Sequence, residues 1–242
     1  MVGLGTIINV AAIIVGGVIG AVFGKFFKEN LQNALVKSTG ICVMFIGVSG
    51  ALEKILSVND GKLTSGGTLM TVVSFALGTL IGELIDIDGK IEKLGEWLKK
   101  KSGSSNDSRF VEGFVCASIT FCVGAMSIVG PIQDALFGDY SILLVKSLLD
   151  FIIVIVMTSS LGKGCVFSVI PVAIIQGFFT LCAKLVEPYM TDMALHNLSL
   201  TGSILIFCVG LNLLRKNSVK VANMLPTIII AVIWAFVEAC FV

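Results

Sequence analysis

Of the chain's 242 residues, 56% are hydrophobic and only 14% are charged, about half the charged share of a soluble globular domain. A mean hydropathy of +1.00 excludes a water-soluble fold of this size, which needs charge to cover its surface. The net charge of +1 leaves no basic face for nucleic acid, and the composition equally excludes disordered regulators and disulfide scaffolds.

A helix needs about 20 apolar residues to cross the hydrocarbon. Stretches 4–24, 67–85, 110–129, 141–160, 164–186 and 221–241 qualify, while 38–55 and 200–214 are shorter. The expected fold is an all-α polytopic membrane bundle of about eight spans, or seven if one short segment only re-enters. The linker-like stretch 102–109 divides it into a first membrane half, 1–101, and a second, 110–242.

Span one has no Lys or Arg before its apolar run, so it reads as a retained span rather than a signal peptide. Gly16, Gly20 and Gly24 form overlapping G-x-x-x-G steps, which let helices approach closely within the bundle or across a homodimer. Gly5-Thr6, Gly16 and Gly20 recur as Gly67-Thr68, Gly78 and Gly82, every member displaced by 62 residues. This reads as a tandem parallel repeat. Phe121–Gly124 returns as Phe207–Gly210, suggesting a further inverted copy.

Residues 89–101 place Ile91, Leu94, Trp97 and Leu98 on one helical face and charges on the other, the pattern of a helix lying in the headgroup layer. Span four ends at Gly130-Pro131, where a helix break is expected, followed by Gln133, Asp134 and Asp139. Span five carries Lys146 and Asp150 one turn apart on one face. The pair costs about 5–7 kcal/mol at a helix centre, against roughly 4–7 kcal/mol returned by the apolar residues around it. That face must therefore point into protein or water, either as a structural ion pair or as a working site. Span six contains Pro171 and Gln176, and span eight begins with Asn223 and Pro226; both prolines are expected to interrupt helices.

Thirteen Lys and Arg fall on one side of an eight-span topology and three on the other, with Lys146 inside a span. The bias places both termini outside the cytoplasm. The seven cysteines, Cys42, Cys116, Cys122, Cys165, Cys182, Cys208 and Cys240, read as small apolar fillers. The single histidine, His196, falls in what reads as a polar connection, 187–199. Neither a metal centre nor another cofactor is expected.

At these positions the chain resembles a family of uncharacterised bacterial multi-span membrane proteins, the YdfK/YqgA type. The resemblance runs over essentially the whole length. It is carried by Gly5-Thr6-Ile7-Ile8-Asn9, Gly124-Ala125-Met126, Gln133-Asp134, Gly138-Asp139, Lys146-Ser147 with Asp150, Gln176-Gly177, Thr201-Gly202, Gly210-Leu211-Asn212 and Asn223-Met224-Leu225-Pro226. It implies a bacterial inner-membrane location and transporter-like character, with no substrate attached.

The leading functional expectation is a small-solute or ion transporter or channel. Its polar site centres on Asp150 and Lys146, with Gln133, Asp134, Gln176 and Asn223 as ligands or gates, and its cargo is a small solute or monovalent ion. The alternative is a non-transporting scaffold or regulatory subunit acting through dimerisation and protein partners. An enzyme is not expected, since no Ser-His or Cys-His pair is offered.

Overall fold

The computed structural model describes residues 2–24, 26, 28–59, 61–104, 107–123, 126–215 and 218–239. Lys25, Lys216, Cys240 and the Gly124-Ala125 part of the family pattern lie outside them. In order come α1 (Leu4–Gly24), α2 (Glu29–Ile55), the hairpin β1 (Leu56–Asn59) and β2 (Lys62–Ser65), α3 (Thr68–Ile85) and α4 (Ile87–Lys101). Then follow α5 (Phe110–Cys122), α6 (Met126–Phe137), α7 (Ser141–Leu161), α8 (Val169–Leu181), α9 (Ala183–Val186), α10 (Asp192–Leu214) and α11 (Pro226–Ala239). Among the described residues seven segments are long and apolar enough to cross a membrane, and α5 with α6, inclined at 54°, brings the number to eight if the bent pair is one span. The chain is an all-α polytopic membrane protein.

Its helices form two compact units interleaved along the chain, each drawing on both sequence halves. The first comprises Met1–Thr39, Lys90–Cys122 and Met126–Glu187; the second comprises Gly40–Gly89, Val123–Ala125 and Pro188–Val242.

In the first unit, α1 lies along α7. The buried positions of α1 (Gly5, Asn9, Ile13, Gly16, Gly17, Gly20 and Gly24) recur every three or four residues and make one stripe. Gly5 faces Leu143, Gly16 faces Phe151 and Val154, Gly20 faces Ile155 and Thr158, and Gly24 faces Ser159. Both sets of numbers rise together, so α1 and α7 run parallel. Gly162, at φ +90°, turns α7 into a 3-10 helix, Lys163–Ser168. Gly164 in that turn sits directly on the Phe110 carbonyl. On α4, Leu98 packs with Ile91 against Phe110 and Phe114 of α5. Trp97 faces outward with Lys101 4.7 Å above its ring, and Leu94 is exposed too. The expected single apolar face of α4 is thus shared between a protein contact and the exterior.

The chain before α5 is tied down. Asp107 accepts the Arg109 and Lys163 N–H groups. The Arg109 guanidinium donates to the Ser160 carbonyl (2.9 Å) and to Asn33 Oδ1 (2.8 Å). Arg109→Ala loses both bonds, and thermal unfolding is expected to show a loss of about 1–2 kcal/mol.

In the second unit, Gly78 and Gly82 of α3 pack on Thr227 and Asn223, so α3 and α11 run antiparallel. Gly40, Gly47 and Gly50 of α2 meet α10 at Gly210, Phe207 and Ser203, again antiparallel. Met70, Leu200 and Ala231 form the core. The hairpin pairs Leu56 with Ser65 and Asn59 with Lys62.

Three expectations are corrected. Gly130 and Pro131 do not break a helix, because both lie inside α6. The interruption falls between Cys122 and Met126. Pro131 stands in the second turn of α6, where it forfeits only the bond to the Ser127 carbonyl. Pro171, by contrast, sits in the first turn of α8, and Pro226 is the first residue of α11, positions that Pro tolerates. His196 is not in a connection: α10 starts at Asp192, where the Thr191 hydroxyl accepts the Ala194 N–H and caps the helix. Finally, Gly16, Gly20, Gly24, Gly78 and Gly82 are covered by the chain's own helices, so a homodimer through them loses its surface.

Candidate functional site

The outward face of α7 is apolar, with Leu144, Val145, Leu148, Leu149 and Ile152 exposed. Its inward face carries Lys146 (6% exposed), Ser147 and Asp150 (4%). This inversion, polar inside and apolar outside, is what a bilayer selects. Lys146 Nζ lies 2.8 Å from Asp150 Oδ2, and the same oxygen accepts Asn9 Nδ2 at 3.1 Å. A carboxylate in this position needs both a counter-charge and a donor, and α7 and α1 supply one each.

One turn before Asn9 on α1, the Gly5 N–H donates to Asp134 Oδ2 of α6 at 2.9 Å. That N–H belongs to the first turn of α1, where no helical acceptor exists, so Asp134 caps α1 from a distance. The Thr6 and Thr180 hydroxyls share a 3.4 Å hydrogen bond between α1 and α8. Because Gly17 meets Val166 further along, the path through the 3-10 helix into α8 runs antiparallel to α1. Gln176 is one turn from Thr180, toward the level of Asn9. The faces of α1, α6, α7 and α8 thus gather Asn9, Asp134, Lys146, Asp150 and Gln176 in one bundle interior.

Several of these groups have unused capacity among the described residues. Asn9 Oδ1, Asp134 Oδ1 and both amide atoms of Gln176 are buried without a hydrogen-bond partner. Asn9, Asp134 and Gln176 are all fully buried. Burying unpaired polar atoms costs about 1–3 kcal/mol each, so the interior is built to take polar partners.

Not every expected residue joins this cluster. Gln133 is half-buried beside Asp134, and its side chain makes no hydrogen bond among the described residues. Asn223 belongs to the second unit, where its Oδ1 accepts the Asp88 N–H at 2.7 Å and caps the first turn of α4. Burial pushes the Asp88 carboxyl above its ordinary range, with Lys220 pulling the other way. Asp139 accepts the Ser141 N–H at the start of α7, which holds its carboxyl below the usual range. It is a fully exposed cap rather than a cavity ligand.

Sequence reasoning gave Asn9 no role. The available signal was its spacing: it falls four residues after Gly5 and seven before Gly16, on the glycine stripe itself. Buried Asn197, Thr201, Ser74 and Thr227 in the second unit were missed as well. Asn197 donates to the Ala231 carbonyl at 3.1 Å, tying α10 to α11.

Residues 4–236 match the family described as a protein of unknown function, DUF554. The chain is 31% identical over 237 residues to the uncharacterized membrane protein YdfK of Bacillus subtilis (strain 168), covering 98% of this chain and 97% of that protein. It is 28% identical over 235 residues to the uncharacterized protein YqgA of Escherichia coli (strain K12), covering 94% of each. No solved structure matches the chain.

Proposed function

We propose that this chain, which belongs to the DUF554 family of proteins of unknown function, moves a small ion or solute across the membrane through the interior held by α1, α6, α7 and α8. The observation that carries the reading is the Lys146–Asp150–Asn9 cluster, buried in a membrane bundle that also holds amide atoms left unsatisfied among the described residues. Charges at membrane depth are costly, and they characteristically mark pathways. Asp150 is the charge-bearing group, Lys146 its neutralising partner and Asn9 its positioning donor. Gln176 supplies both a donor and an acceptor to a passing ligand.

The same reading places the chain in the bacterial inner membrane with both termini outside the cytoplasm, supported by the thirteen-to-three Lys and Arg bias. Chain parity agrees. If α1, α2 and α3 each cross once, α7 can start on the same side as α1 only if α5 and α6 together cross once more. The parallel packing of α1 and α7 supports that crossing, and on this reading the spans number eight.

Solid-supported-membrane recordings from proteoliposomes, screening ions and small charged metabolites, test the proposal. A substrate-dependent current is expected from the wild type, lost in Asp150→Asn with an unchanged elution profile. Wild-type current from a folded Asp150→Asn variant would remove Asp150 from the path.

A further inference from the structure

The second compact unit contains a cavity of about 530 Å³ that opens to the exterior. It lies where the end of α2, the β1–β2 hairpin and the start of α3 meet the start of α10 and the end of α11. Its volume falls in the range of small-molecule sites, which combine apolar walls with a few placed polar groups. Leu69, Met70 and Met193 provide such walls.

Two of the cavity's polar groups are free to act as acceptors. His196 Nδ1 is buried without a hydrogen-bond partner among the described residues. Glu238 lines the cavity and forms no ion pair among the described residues. Trp234 stands one helical turn before Glu238 on the same face of α11. Lys54, the one cation on the wall among the described residues, is held by Glu53 at 2.7 Å. The charge left uncompensated in the cavity is therefore negative, and it sits beside an indole.

We propose that this cavity binds an organic ammonium ion with an apolar body. The cation rests between the Trp234 indole and the Glu238 carboxylate, an arrangement in which ring quadrupole and full charge attract the same group. His196 Nδ1 accepts a hydrogen bond from a ligand N–H, and the body of the ligand covers Leu69, Met70 and Met193. The site is separate from the Asp150 cluster and does not rest on the transport reading.

Trp234 fluorescence in the full chain reads the binding, in a Trp97→Phe background that leaves one indole. The probes are 3-phenylpropylammonium and 3-phenylpropionate, which are similar in size and opposite in charge. A saturable change with 3-phenylpropylammonium is expected, with affinity at least tenfold weaker for 3-phenylpropionate. Glu238→Gln is expected to weaken the ammonium about tenfold at an unchanged melting temperature, since Glu238 is exposed and forms no ion pair among the described residues. Trp234→Phe, followed by calorimetry, is expected to retain weaker binding because a smaller ring remains. Equal affinity for the two probes, preference for the anion, or undiminished binding in folded Glu238→Gln would each overturn the assignment.

Discussion

Lys146→Met is expected to cost about 3–5 kcal/mol of stability, because it leaves the buried Asp150 carboxylate without its counter-charge. The Asn9 amide that remains is a neutral donor and cannot replace an ammonium. The double variant Lys146→Met/Asp150→Leu should recover most of the loss, since apolar groups of similar volume commonly replace a buried ion pair without penalty. Reversible unfolding in mixed micelles, followed by circular dichroism, measures both. The double variant also separates two roles of the pair. Stability recovered with transport current absent assigns it to function; recovery with wild-type current would take the pair out of the path.

Gly20→Val is expected to destabilise by about 1–3 kcal/mol through overpacking. A Cβ at Gly20 meets the Ile155 carbonyl oxygen at 2.5 Å and Thr158 Cβ at 2.9 Å. The carbonyl is main chain and cannot swing aside, so α1 must retreat from α7. That retreat carries Asn9 away from Asp150, and transport current should fall along with melting temperature. Gly177→Ala is the matched control: a Cβ there meets nothing within 4 Å. It should be neutral or stabilising by up to about 1 kcal/mol, from helix propensity alone. A Gly20→Val protein as stable as wild type would mean that the close α1–α7 contact is dispensable.

Much of this architecture was legible because bilayer physics writes plainly in sequence. The length of apolar runs located α1, α3 and α7 within a residue or so. The price of two charges on one face correctly required Lys146 and Asp150 to be buried. The failures also have physical causes. Span seven was read as starting at 200 because Asp192, His196 and Asn197 looked hydrophilic. In the fold the Thr191 cap starts α10 earlier, and Asn197 is buried on the Ala231 carbonyl. The hairpin was passed over although Asp60-Gly61 is a turn signal; attention to apolar runs hides four-residue strands. Pro131 misled because a proline reports a local cost and not whether the surrounding helix can absorb it. The partnership of Asn9 with Asp150 joins residues 141 positions apart, which no local pattern encodes.

That separation bears on how the protein is made. At translation speeds of about 5–20 residues per second, Asp150 emerges roughly 7–28 seconds after Asn9. Until then α1 holds an amide and a row of bare glycines that await α7. It must wait at the insertion machinery or drift unpaired among lipids, and then dock in parallel once α6 and α7 arrive. A helix made well before its partners is thus locked in place only after they arrive. Truncated chains ending before α7 should leave α1 open to quality-control proteases, whereas chains extended past Leu161 should protect it.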